Sequence, residues 1–252
     1  MADTDFIPGS FTVKSEVILK FFEALSILVF ECRLHITRKG VHVIAVHDEN
    51  IAMVEVGLDK FTTFLYDHDK GTILALSVRD IHQVLKAADL TDTATVFWYK
   101  EEGLAKFRIE SCRCTLIFNC MDSEGIRKDP NPPTLRLDTK FPVLGSLLVK
   151  GIRLADVVGD CYIEVNQEGC FLDAYGETSK CRYLIGFDTV STPVRSKYSL
   201  DYLKDIAQVF EGTTITIEMA SDHPISLAAD DESGLPLGLK VRYLLAPRID
   251  TE

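Results

Sequence analysis

The sequence predicts an α+β chain built from one domain copied twice, with two helices and several hairpin-connected antiparallel strands in each copy. Three observations carry this. Two sets of matching blocks occur in the same order, they are offset by about 120–130 residues, and a proline-rich stretch lies between them.

The first pair of blocks is FFEALSILVFECRLHITRKGVHVIAV (residues 21–46) and LVKGIRLADVVGDCYIEV (148–165) with its continuation. Each is an apolar helix ending in an acidic residue and a cysteine, Glu31-Cys32 and Asp160-Cys161. Period-two alternation follows, reaching Gly40 and Gly169, the pattern of a half-buried strand running into a hairpin turn. VHVIAV and CFLDAY then predict second strands, and IAMVEVGL and CRYLIGF third ones.

The second pair is residues 76–109 against 198–229. Each opens on a serine suited to a helix N-cap, Ser77 and Ser199, with Asp80 and Asp201 in the first turn. Each runs a short helix into Thr-rich strands from Thr93 and Thr213. The offset is that of whole domains rather than solenoid units. Between the copies, NCMDSEGIRKDPNPPT lacks periodicity and holds Pro130, Pro132 and Pro133, which predicts an extended, semi-rigid connector. The expected division is residues 1–118, a connector at 119–133, and 134–252.

Composition narrows the function. At 252 residues and 46% hydrophobic content the chain can bury full cores and is neither disordered nor fibrous. No apolar run reaches the roughly 18 residues of a membrane span, and the opening MADTDFIPGS lacks a signal-peptide pattern. A soluble intracellular chain with no membrane partner is expected. The seven cysteines form no CxxC pair, which supports small apolar residues in a reducing compartment. Cys112 and Cys114, two apart in a strand-like run, are expected to share one sheet face.

The formal net charge of −11 excludes a surface basic all over, yet leaves room for a local basic patch. Each predicted helix carries such residues: Lys20 on the first, Arg79 and Lys86 on the second, Lys150 and Arg153 three apart on the third, Lys204 on the fourth. Acidic residues share these helices, and ordinary solvated faces would look similar one at a time. What favours function is recurrence at corresponding places of a duplicated fold.

A catalytic set is not found. HExxH, GxSxG, P-loop and GxGxxG patterns are absent. His47-Asp48-Glu49 and Asp67-His68-Asp69 could in principle bind a metal, but read more simply as solvated turns. No catalytic residue, metal or cofactor is expected.

The duplication, the connector and three further pieces carry a resemblance. These are Phe22-Glu23-Ala24-Leu25, Ser199-Leu200-Asp201-Tyr202-Leu203, and Tyr243-Leu244-Leu245-Ala246-Pro247-Arg248-Ile249 at the end. Over nearly its whole length the chain resembles sliding clamps of the proliferating cell nuclear antigen (PCNA) type, archaeal members above all. That resemblance implies a head-to-tail trimeric ring around double-stranded DNA, helices lining the hole and sheets outside, bound without sequence specificity. It assigns Lys20, Arg79, Lys86, Lys150, Arg153 and Lys204 to the DNA channel. Leu19, Ser26 and Gln208 stand where relatives are basic, implying a less positive channel.

It further implies a tether for DNA polymerase, DNA ligase and flap endonuclease, opened by a clamp loader (replication factor C). The pocket for partner motifs would comprise Val46, Asn50, Ile51, Met53, Ile126, Pro224, Leu244, Ala246 and Pro247. Leu244 falls where relatives often have an aromatic, Asn50 where some have histidine, and Arg127 and Lys128 sit in a segment usually more acidic. Subunits would join through strand edges at 108–118 and 178–187, placing Cys114, Phe118, Cys181 and Tyr183 at or near the seam. The expected location is the cytoplasm at the nucleoid for an archaeal chain, or the nucleus for a eukaryotic one. A checkpoint-type or hetero-oligomeric clamp subunit remains as a variant, and a duplicated-domain hydrolase using an Asp/His cluster as the alternative of another class.

Overall fold

The structure, a computed structural model, describes residues 6–66 and 68–248. Asp67 of the second acidic–histidine cluster and Ile249 of the terminal motif lie outside the described residues. The chain forms two compact units, one within Met1–Asp48, Val54–Pro130 and Pro236–Lys240, the other within Glu49–Met53, Asn131–Leu235 and Val241–Glu252.

The first unit runs β1 (Gly9–Lys14), α1 (Ser15–Ser26), β2 (Glu31–Thr37), β3 (Gly40–Val46), β4 (Ala52–Leu58), β5 (Thr63–Leu65), β6 (Thr72–Ser77), α2 (Val78–Ala87), β7 (Thr93–Glu101), β8 (Leu104–Glu110) and β9 (Thr115–Asn119). The order β5-β1-β7-β8-β9 makes one sheet, and β4-β3-β2-β6 are neighbours in another. The second unit runs β10 (Thr139–Leu144), α3 (Gly145–Val158), β11 (Asp160–Asn166), β12 (Gly169–Tyr175), β13 (Lys180–Gly186), β14 (Val194–Tyr198), α4 (Leu200–Val209), β15 (Thr214–Met219), β16 (Ile225–Ala229) and β17 (Leu239–Leu245). Here the orders are β13-β12-β11-β14 and β10-β15-β16-β17.

The two connectivities superpose once β5 is set aside. Strand, helix, three strands, strand, helix, three strands describes each unit, and β4-β3-β2-β6 corresponds to β13-β12-β11-β14. The duplication inferred from the blocks is therefore a duplication of topology.

Alternation decides which side of each strand is buried. In β2, Cys32, Leu34 and Ile36 are buried, and in β11 Cys161, Ile163 and Val165 are. In the first unit Phe11, Phe21, Phe22, Trp98 and Phe107 are at most 2% exposed, with Phe22 edge-on to Phe107 at 6.0 Å. The second unit buries Leu148, Ile152, Leu172, Leu203 and Phe210, the last edge-on to Tyr243 at 5.7 Å.

One strand expectation is corrected. Cys112 and Cys114 do not share a sheet face, because residues 111–114 form the turn between β8 and β9. The amide of Ser111 donates to the carbonyl of Cys114 at 2.9 Å, closing the turn, and Cys112 Sγ lies 2.8 Å from Thr91 Oγ1. All seven cysteines are free. No helix among the described residues is long and apolar enough to cross a membrane.

Candidate nucleic-acid interface and partner surface

Each helix buries one face against its own unit and leaves the predicted cations on the other. In α2, Val78, Ile81 and Leu85 are buried, while Arg79 and Lys86, seven apart, are exposed together. The helix starts where the sequence says: Ser77 Oγ accepts from the amide of Asp80 at 3.3 Å and donates to its Oδ2 at 2.7 Å. The matching Ser199 occupies the N-cap of α4 but makes no side-chain cap bond.

In α3, Leu148, Val149, Ile152 and Ala155 are buried, and Lys150 and Arg153 are exposed. Gly151 lets this helix sit close to the sheet. A Cβ there would lie 3.1 Å from the Tyr183 ring and 3.3 Å from Ile185 Cγ2, both on β13. Gly159, at φ +142°, ends the helix and feeds β11. In α4, Leu203, Ile206, Ala207 and Val209 are buried.

Apart from one i,i+3 neighbour, the partners of these cations are not disclosed by the sequence. Lys20 bonds Glu23 at 3.0 Å, Arg153 lies 3.8 Å from Glu211, and Lys204 donates to Asp156. The Asp156 carboxylate raises the Lys204 pKa. Arg79 places its guanidinium 4.0 Å over the Phe30 ring. Among the described residues, Arg79, Lys86 and Lys150 have no ion pair. Counted along the four helices, Lys20, Arg79, Lys86, Lys150, Arg153 and Lys204 meet Glu16, Glu23, Asp80, Asp156, Asp201 and Asp205, so the helices are neutral overall. The acidity of the chain therefore resides outside them.

The predicted partner residues fall in both units. In the first, Val46 ends β3 half-buried and Ile126 is 5% exposed. Arg127 Nη1 donates to the carbonyl of His47 at 3.1 Å. In the second, Asn50 is exposed at φ 60°, Ile51 accepts at its carbonyl from the amide of Ala246 at 2.8 Å, and Met53 is buried. Leu244 is buried, while Pro224, Ala246 and Pro247 are half-buried. Tyr202 donates to Glu49 Oε2 at 3.2 Å beside this stretch.

Two sheets end in strands that the predicted seam involves. β9 closes the five-stranded sheet and β13 the four-stranded one. Arg108 lies one strand inward, on β8, paired on both sides. Cys114 precedes β9, Phe118 lies in it, and Cys181 and Tyr183 lie in β13, all half-buried. Large apolar side chains are exposed on or next to these strands: Ile117 at 55%, Leu184 at 36% and Phe187 at 80%. Residues 47–50 form a turn, and among the described residues no three of His, Cys, Asp or Glu gather at metal-binding spacing.

No protein-family model matches the chain. It is 30% identical over 249 residues to a DNA polymerase sliding clamp of Methanosphaerula palustris, covering 96% of this chain and 98% of that one. The chain belongs to the DNA polymerase sliding clamp family. The clamp of Archaeoglobus fulgidus is likewise 30% identical, over 94% of this chain and 97% of its own. Among solved structures, A. fulgidus PCNA with the C-terminal region of FEN-1 bound superposes at a TM-score of 0.83, with 25% identity across 97% of this chain and 100% of that one. PCNA of Thermococcus kodakaraensis shares the fold at 0.80, with 18% identity over 95% of this chain and 100% of its own. The helix faces and edge strands of this clamp chain thus belong to an antiparallel fold whose relatives are named for work on DNA.

Proposed function

We propose that the chain is the subunit of a ring that encircles double-stranded DNA and tethers a DNA polymerase, a DNA ligase and a flap endonuclease, without chemistry of its own. Full-length likeness to curated sliding clamps carries this reading. Three copies close head to tail, β9 of one pairing with β13 of the next. Such pairing would cover Ile117, Leu184 and Phe187 and remove two open edges that otherwise invite aggregation. The cationic side chains of α1 to α4 face the hole and meet phosphates rather than bases, so contact is non-specific and mobile. The connector spans 119–133 between domains 1–118 and 134–252. Beside it, Val46, Asn50, Ile51, Met53, Ile126, Pro224, Leu244, Ala246 and Pro247 receive the partner motif. A clamp loader opens the ring, and in an archaeal cell the assembly works at the nucleoid.

The test is primer extension by a replicative polymerase from a related source, with a clamp loader, on circular and linear templates. Longer products on circles, lost on linear DNA as rings slide off the ends, are expected. A chain that stays monomeric in light scattering and stimulates neither template sinks the reading.

A further inference from the structure

The connector is gripped from below by two neighbouring outward positions of β2. Because Cys32, Leu34 and Ile36 face the core, Arg33 and His35 face the other way. Arg33 Nη2 donates to the carbonyl of Ser123 and, at 3.4 Å, to that of Ile126. His35 Nε2 donates to Asp129 Oδ2 at 2.8 Å. The His35 ring is itself held, stacked on its cross-strand neighbour His42 with centroids 4.9 Å apart and 20° between planes. Burial and the facing His35 lower the His42 pKa.

These contacts bracket the stretch from 123 to 129. At its near end the amide of Met121 donates to the carbonyl of Ala75 at 2.8 Å, and the amide of Gly125 to that of Asp122 at 3.1 Å, making a turn. One guanidinium joins that turn to Ile126, and one imidazole fixes Asp129. The connector lacks regular secondary structure from 127 onward, so side chains must supply the order that a ladder would otherwise give. Hydrogen bonds from an ionised donor are the stronger class.

We infer that Arg33 and His35 are positioning residues for partner binding: from β2 they hold the connector in the shape with which a partner's motif pairs. This rests on the tethering reading above. A connector released from the grip samples other shapes, and apparent affinity falls with the fraction in the competent one. Arg33 suits the task because its rigid, always-charged guanidinium aims one nitrogen, Nη2, at both carbonyls in a fixed plane, an orientation that the freely rotating ammonium of lysine does not hold.

The experiment uses the full chain and a synthetic peptide copying the C-terminal region of a flap endonuclease, titrated calorimetrically. Arg33→Ala and Arg33→Lys should both weaken binding, Arg33→Ala by about tenfold. Asp129→Ala should weaken it too, while Asp129→Asn, which keeps an acceptor oxygen for His35, should restore it. Hydrogen exchange should quicken within 119–130 and stay unchanged in β7 and β8, a pattern that general destabilisation does not produce. Wild-type affinity and wild-type connector exchange in Arg33→Ala and Asp129→Ala overturn the positioning role and leave the clamp reading standing. Failure of the wild type to bind the peptide overturns the partner surface, and this inference with it.

Discussion

Removing a carboxylate should tighten the grip of this chain on DNA. Lys204 is engaged by Asp156 and Lys20 by Glu23, so neither is free to meet a phosphate without giving up a partner. Asp156→Asn and Glu23→Gln keep size and polarity while releasing both lysines, moving the helices from neutral to two positive charges per chain. Each phosphate contact contributes about 0.9 to the slope of log affinity against log salt, so over a fourfold rise in salt one contact is worth about three- to fourfold in affinity. Two new contacts should therefore widen the affinity ratio between 50 and 200 mM salt by about tenfold.

Fluorescence anisotropy with a labelled duplex, titrated across that salt range, reads the slope directly. Lys150→Ala is the control, because Lys150 is exposed and, among the described residues, unpaired; it should lower the slope by about 0.9. Lys204→Ala should change it little, its charge being already answered by Asp156. A lowered slope in Lys150→Ala with no rise in the double carboxylate variant refutes the pairing argument alone. No change in either variant refutes the placement of these helices against DNA.

Three further expectations concern the fold. Ser77→Ala should cost about 1 kcal/mol in chemical denaturation, whereas Ser199→Ala should cost much less, since only Ser77 caps with its side chain; equal costs would deny the difference. Gly145→Ala should destabilise by about 2 kcal/mol or more, because a Cβ there would meet the Phe210 carbonyl oxygen at 2.0 Å; an unchanged melting temperature would show that α3 can shift. Asp173 is 2% exposed with both carboxylate oxygens unbonded, and burial raises its pKa despite Arg182. The folded state then holds that proton more tightly than the unfolded one, so stability falls as pH rises from the unfolded pKa through the folded one. Asp173→Asn should flatten this fall and raise the melting temperature at pH 7.5; a lower melting temperature there would mean that Arg182 and Arg195 depend on the charge.

What could be read from the sequence follows from the range of each signal. Periodicity and glycine placement are local, so the helices, the hairpins at Gly40 and Gly169 and the duplicated order were legible from residue spacing alone. The strand expectation at Cys112 and Cys114 failed because alternation continues through a four-residue turn whose closing bond, Ser111 to Cys114, has no signature in residue types. Lys20 with Glu23 is an i,i+3 pair and can be anticipated. Lys204 with Asp156 joins two helices 48 positions apart, and only the packing of α4 beside α3 creates it. Arg33 and His35 show the same limit: alternation places them on the outward face of β2, but nothing in the strand says that residues 123–129 will lie over it. Charge on a helix face therefore has to be counted after tertiary pairing. By that count three of the six helix cations, Arg79, Lys86 and Lys150, have no ion pair among the described residues, and one of these, Arg79, rests on the Phe30 ring.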